Sequence, residues 1–141
     1  MKFLWVGHSG SWDLAIRFAL GSTFIAHGAQ KLFGWWGGYG LEATGQWMAS
    51  IGLTPGLLMA LAAGGIEFFG GIAMLIGLMT RPVAILASVV MLVALFSVHL
   101  ANGFFISNNG YEFALSLLAM SLSLSVAGSG RFSADALIRE G

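Results

Sequence analysis

Four long apolar stretches, about Leu14–Phe33, Pro55–Met79, Pro82–Leu100 and Tyr111–Ala127, fill more than half the chain, each bounded by turn residues or charge. A helix needs about 20 apolar residues to cross roughly 30 Å of hydrocarbon, and the last two stretches lie near the short end of that requirement. None shows the sustained alternation of a barrel strand. The 141 residues include only 9% charged and 57% hydrophobic side chains, against roughly 25% and 45–50% in soluble domains. So few charges cannot cover a water-facing surface. The expected fold is all-α: a single four-span transmembrane domain over residues 1–141, an integral membrane four-helix bundle. Pro55 and Pro82 stand where helices can begin, because the first turn has no hydrogen bond to lose. Gly21, Gly64, Gly65, Gly70, Gly71 and Gly77 would weaken soluble helices, but let helices in lipid approach closely, and Ala60 and Gly64 have small-xxx-small spacing.

Composition removes several functions. Zero net charge offers nothing to a polyanion, so no nucleic-acid partner is expected. The absence of cysteine excludes disulfides, thiolate catalysis, iron–sulfur ligation and zinc–thiolate sites. The first apolar run contains Arg17 and is followed by no cleavage pattern, so it does not read as a secretory signal.

Basic residues set the expected orientation. Lys2, Arg81, Arg131 and Arg139 fall on one side of a four-span arrangement, whereas the loops Gly34–Thr54 and Ala101–Gly110 contain no Lys or Arg. The positive-inside rule then places both termini in the cytoplasm. In the first outer loop, Gly34-Trp35-Trp36-Gly37-Gly38-Tyr39-Gly40 reads as an aromatic belt with glycine turns, and matches neither a phosphate loop nor a dinucleotide fingerprint. Leu41–Leu53 reads as a short interfacial helix turning Leu41, Trp47, Met48 and Ile51 inward, able to lid the bundle. In the tail, Ser133 can cap a short helix whose positive end suits Asp135. A faint repeat pairs Phe24-x-x-His27 with Phe96-x-x-His99, and Gly65-Ile66-Glu67-Phe68 with Gly110-Tyr111-Glu112-Phe113; duplication and chance explain it equally well.

Function is written in the ionisable residues inside the spans: Arg17, His27, Lys31, Glu67, His99 and Glu112. Each costs about 2.5–3.5 kcal/mol at a helix centre, so they should face the interior and pair. Aligning the helix ends puts Arg17 near Glu67 as a structural ion pair, and His27, Lys31, His99 and Glu112 in a second layer near the outer leaflet. Singly, each has a plainer role: Lys31 can snorkel to headgroups, His99 can be a bonded core histidine, and Glu112 can sit at a positive helix end. Together they form a proton-exchanging pocket. Such a pocket suits a quinone headgroup, with Trp35, Trp36, Phe104 and Phe105 as an apolar wall. Haem between His27 and His99 is disfavoured by the adjacent Lys31 and Glu112, and metal binding by two histidines and a carboxylate is a further option; neither haem nor metal is expected.

These residues also carry a family likeness. Arg17, then His27-Gly28-x-x-Lys31-Leu32-Phe33-Gly34, Gly38-x-Gly40-Leu41, Gly52-Leu53-x-Pro55, Glu67-x-x-Gly70-Gly71, Gly77-Leu78-x-Thr80-Arg81, Met91 through His99, Gly103-Phe104-Phe105, Gly110-Tyr111-Glu112 and Gly128-x-Gly130-x-x-Ser133-x-Asp135 resemble the DoxX family from roughly Asp13 to Leu137. The resemblance implies a four-helix protein, usually of the bacterial inner membrane. Some relatives serve thiosulfate:quinone oxidoreduction and others membrane oxidant-defence complexes. With no cysteine, this chain holds no dithiol relay, and an electron donor must dock from elsewhere.

The expectation is therefore a quinone-linked membrane redox subunit. His27 and His99 act as hydrogen-bond or proton partners, Lys31 stabilises the reduced anion, and Glu112 relays protons. Expected partners are lipid, quinone, and a peripheral redox protein or a second copy. The alternatives are a non-enzymatic anchor or assembly partner for a redox or stress-defence complex, and a small-solute carrier.

Overall fold

A computed structural model of the protein describes residues 7–141; Lys2, which enters the charge argument, lies outside the described residues. The described chain is helical, with one isolated bridge between Gly7 and Ser129. Six α-helices follow in order: α1 (Asp13–Phe33), α2 (Gly40–Ser50), α3 (Gly56–Ile76), α4 (Thr80–Ala94), α5 (Glu112–Ala127) and α6 (Ala134–Glu140). α4 runs on through a π-helical turn at Leu95–His99 and a 3-10 turn at Leu100–Asn102.

Among the described residues, two helices are long and apolar enough to cross a membrane, Gly56–Ile76 with mean hydropathy 1.8 and the continuous Thr80–Asn102 with 2.6. α1 is as long as α3, but carries Asp13, Arg17 and Lys31. α5 is apolar over only 16 residues. α3 shows what kind of surroundings the protein is built for. Its buried face consists of Gly56, Ala60, Gly64, Glu67, Gly70, Gly71 and Met74, while Leu57, Leu58, Leu61, Phe69 and Ile76 are exposed. A soluble helix does the reverse. Small residues inside and bulky apolar ones outside suit packing in lipid, where close backbone approach holds helices together.

α1 packs on α3, α4 on α5, and α2 against α3. Leu20, Phe24, Met74, Ala84, Ala87, Met91, Leu95, Leu117, Leu118 and Leu124 form the common core. The α1–α3 contact depends on Gly28: a Cβ there would lie 2.8 Å from both the Gly64 carbonyl oxygen and the Phe68 Cα. Gly21 meets the Gly71 carbonyl in the same way. This register sets Lys31 beside Gly64, so α3 begins beyond the end of α1. α2 covers the overhang, its Gly45 seated on the backbone of Gly56 and Leu57. Close backbone contact therefore chooses the inward face of α2 as Thr44, Gly45 and Met48. Of the side chains expected inward, Ile51 is exposed, and Trp47 is 39% exposed with part of its ring on the cavity described below.

The opposite end is closed by a buried polar knot. Arg17 is 1% exposed, and its Nε donates to Asp13 Oδ2 at 2.7 Å. Its Nη1 donates to the carbonyls of Met74 and Leu75, at 3.3 and 3.2 Å, and Nη2 to that of Phe132 at 2.6 Å. The expected Arg17–Glu67 pair is thus corrected. Helix ends do not coincide, and the α1–α3 register brings Arg17 to Gly77, where α3 ends, instead of to Glu67 at mid-helix. Gly77 has φ 70° and no room for a Cβ beside the guanidinium. Ser133 caps α6 by accepting from the Ala136 N–H at 3.1 Å, as its position predicts. Asp135 does not stay with its own helix. Its carboxylate accepts from the N–H groups of Met79 and Thr80, at 2.7 and 3.0 Å, and so closes the start of α4.

Candidate functional site

At the other end, α1, α3 and α4–α5 part around a cavity of about 500 Å³ whose wall is mostly Phe, Met, Val, Leu and Ala. Polar residues interrupt it: His27 and Lys31 from α1, Glu67 from α3, His99 from the π turn and Asn109 from the loop that follows. Helical spacing explains the first pair, since positions four apart share a face. The wall is accessible, not sealed: Val89 and Val93 line it and are 52% and 43% exposed.

Lys31 Nζ donates to Glu67 Oε2 at 2.7 Å, with the Glu67 side chain 3% exposed and that of Lys31 23%. The long lysine reaches back along α1 by roughly one turn, answering the carboxylate that the simpler depth estimate assigned to Arg17. Among the described residues the Glu67 side chain makes no other hydrogen bond, which leaves Oε1 as an open acceptor. An ammonium has three N–H donors, so Lys31 retains two. The apolar cavity thus contains a charge-neutral pair with unused capacity on both partners.

His99 is held more rigidly. Its Nδ1 lies 2.9 Å from the backbone carbonyl oxygen of Asn109. That carbonyl also accepts from the Asn102 side-chain amide at 3.1 Å, and the same amide donates to the Val98 carbonyl at 3.0 Å. Asn109 has φ 57°, a left-handed conformation that asparagine tolerates better than most residues. A carbonyl can only accept, so His99 Nδ1 carries a proton; Nε2 has no protein partner. The π turn alters the direction in which α4 presents its last residues, and such turns are frequent at functional sites. His27 makes a tilted ring contact with Phe113, centroids 6.1 Å apart, and no hydrogen bond.

The structure therefore brings together His27, Lys31 and His99, adds Glu67, and leaves out Glu112. Glu112 heads α5 and does not line the cavity, because the Gly103–Gly110 loop folds back and the Phe104 carbonyl accepts its backbone N–H. Trp35, Trp36, Phe104 and Phe105 are exposed and line no part of it. Their ring contacts are largely local: Trp35 with Phe33 and Phe68, Trp36 with Trp35, and Phe104 with Phe105 and Tyr111. The aromatic part of the wall comes from Phe24, Trp47 and Phe113. Sequence reasoning missed Asn102 and Asn109. Two asparagines in a loop after a histidine-bearing helix were the available signal, as side chains suited to turns and to bonding nearby carbonyls. The repeat carries only partly into the environments of its members: His27 and His99 both line the cavity, but Phe24 is buried where Phe96 is exposed, and Glu67 faces the cavity where Glu112 does not.

Comparison with known proteins agrees with these features. The DoxX family model matches residues 12–100, which takes in α1 to the π turn and hence His27, Lys31, Glu67 and His99. "Putative oxidoreductase CatD" of Bacillus subtilis is 32% identical over 128 residues, covering 91% of this chain and 87% of that protein. Two Haemophilus influenzae proteins, named only as uncharacterized, are 28% identical over 134 residues and 34% over 123, covering 86% and 85% of their own lengths. No solved structure matches. With a family model over most of its length and relatives that run alongside nearly all of it, the chain belongs to the DoxX family of membrane proteins.

Proposed function

We propose that the protein is a quinone-linked redox subunit of the bacterial inner membrane, spanning it with α1, α3, α4 and α5 and keeping both termini in the cytoplasm. The observation that carries this reading is the cavity itself: apolar walls around His27, Lys31, Glu67 and His99. Its volume lies within the roughly 300–1,000 Å³ of small-molecule sites, which pair apolar lining with a few placed polar groups. A quinone supplies two-electron, two-proton chemistry, with electrons delivered by a peripheral redox protein. The chain's part is to hold the headgroup against Phe24 and Phe113, donate to it from Lys31, and exchange protons through His27, His99 and Glu67. The name of CatD points toward redox chemistry as well.

Titration of the purified protein with a short-chain quinone tests this. Binding should be measurable, His27→Ala should weaken it about tenfold, the worth of one good hydrogen bond, and Glu112→Gln should leave it unchanged. Wild-type protein without quinone affinity would falsify the reading; co-purification with a peripheral protein, unaltered by cavity substitutions, would then favour an anchor.

A further inference from the structure

The hydrogen-bond capacity around the cavity is unequal. His99 uses its Nδ1 proton on the Asn109 carbonyl, which in the neutral ring leaves Nε2 as a lone pair. Glu67 Oε1 is a second unused acceptor, because the bond to Lys31 engages Oε2. Lys31 Nζ is the donor beside that carboxylate, and His27, with one N–H in either tautomer, is the other. From this set we infer that the cavity prefers the hydroquinone form of its ligand to the quinone, with His99 as the residue that discriminates.

The inference rests on the quinone reading given above. A quinone oxygen is a carbonyl and can only accept. Opposite His99 Nε2 it would meet lone pair with lone pair, or the imidazole proton would have to move to Nε2 and abandon the Asn109 carbonyl. A hydroquinone O–H donates to Nε2 with the network intact. Its second hydroxyl can accept from Lys31 Nζ and donate to Glu67 Oε1. The Asn102 amide favours the tautomer indirectly. By pinning the Asn109 carbonyl, and with it an asparagine in a left-handed conformation, it keeps the acceptor in front of Nδ1. His99 is thus a specificity-determining residue, and Asn102 a positioning one.

One neutral hydrogen bond made instead of lost is about a tenfold change in affinity. Full-length protein in detergent should be titrated at pH 8, where free imidazole is neutral, with a short-chain hydroquinone under anaerobic conditions and with the matching quinone. The hydroquinone should bind about tenfold tighter. The midpoint potential of the bound couple should then lie about 30 mV above the free couple, since tenfold corresponds to that shift for two electrons. His99→Phe should bring the two affinities within about threefold of each other. Nitrogen-15 spectra of histidine-labelled wild-type protein should show His99 protonated at Nδ1, a readout that needs no variant to fold. Equal affinities, tighter quinone binding, a proton on Nε2, or an unchanged preference in His99→Phe would each overturn the selectivity while leaving quinone binding standing. Failure of both forms to bind removes the underlying reading instead.

Discussion

Arg17 and Lys31 sit on one helix and answer opposite ends of the molecule, and the sequence does not distinguish their tasks. Both are cations in an apolar run; their partners follow from the register of α3, which depends on where glycines let two backbones touch. Arg17 is buried with Asp13 and three carbonyls, so removing it leaves the fully buried Asp13 carboxylate with only the Gly130 N–H and the nearby His8 ring. Arg17→Met should destabilise the protein by about 3–5 kcal/mol, the usual cost of breaking a buried pair by removing one partner, read as a lower unfolding temperature in detergent. Asp135→Ala should cost about 1–2 kcal/mol as the loss of a helix cap, and the same thermal scan orders the two. A ranking in which Asp135→Ala is the more damaging would contradict the arrangement of this knot.

At the scale of elements, the long helices were readable to within a few residues, because twenty-residue apolar runs ended by Gly34 and Gly77 leave little choice. Their register was not. Depth counted from helix ends assumes flush ends, and α3 overhangs α1. Chemistry follows register, so Glu67 was expected with Arg17, and Glu112 was expected in the pocket that Glu67 occupies. The π turn left no trace in the sequence, and the Asn102–Asn109 bracing left only two asparagines in a loop without apolar pattern. Two glycines separate the causes. Gly28→Leu should force α1 from α3 and pull Lys31 from Glu67, seen as loss of folded protein by gel filtration. Gly65→Ala, where a Cβ would meet nothing within 4 Å, should be tolerated and raise stability by about 0.5–1 kcal/mol through helix propensity. Equal harm from both would mean that close approach is not what glycine provides on this helix.

For the whole molecule, the exposed Leu, Phe and Val surface of α3 and α4 belongs in lipid, and the proposed orientation can be checked directly. The natural chain has no cysteine, so a single introduced one reports alone. In intact cells Gly37→Cys should react with a membrane-impermeant maleimide, while Glu140→Cys should react only after lysis; the reverse pattern would invert the topology and place the cavity at the cytoplasmic leaflet.

Asp135 closes a helix that begins 55 positions earlier, and Phe132 supplies a carbonyl to an arginine 115 positions before it. Both lie downstream of every long helix, so they are made after all of those helices. Until then α4 has open amides and Arg17 lacks its strongest carbonyl partner. A chain cut short after Ala127 would keep every long helix yet lack both the carboxylate and the carbonyl that fasten this end of the bundle.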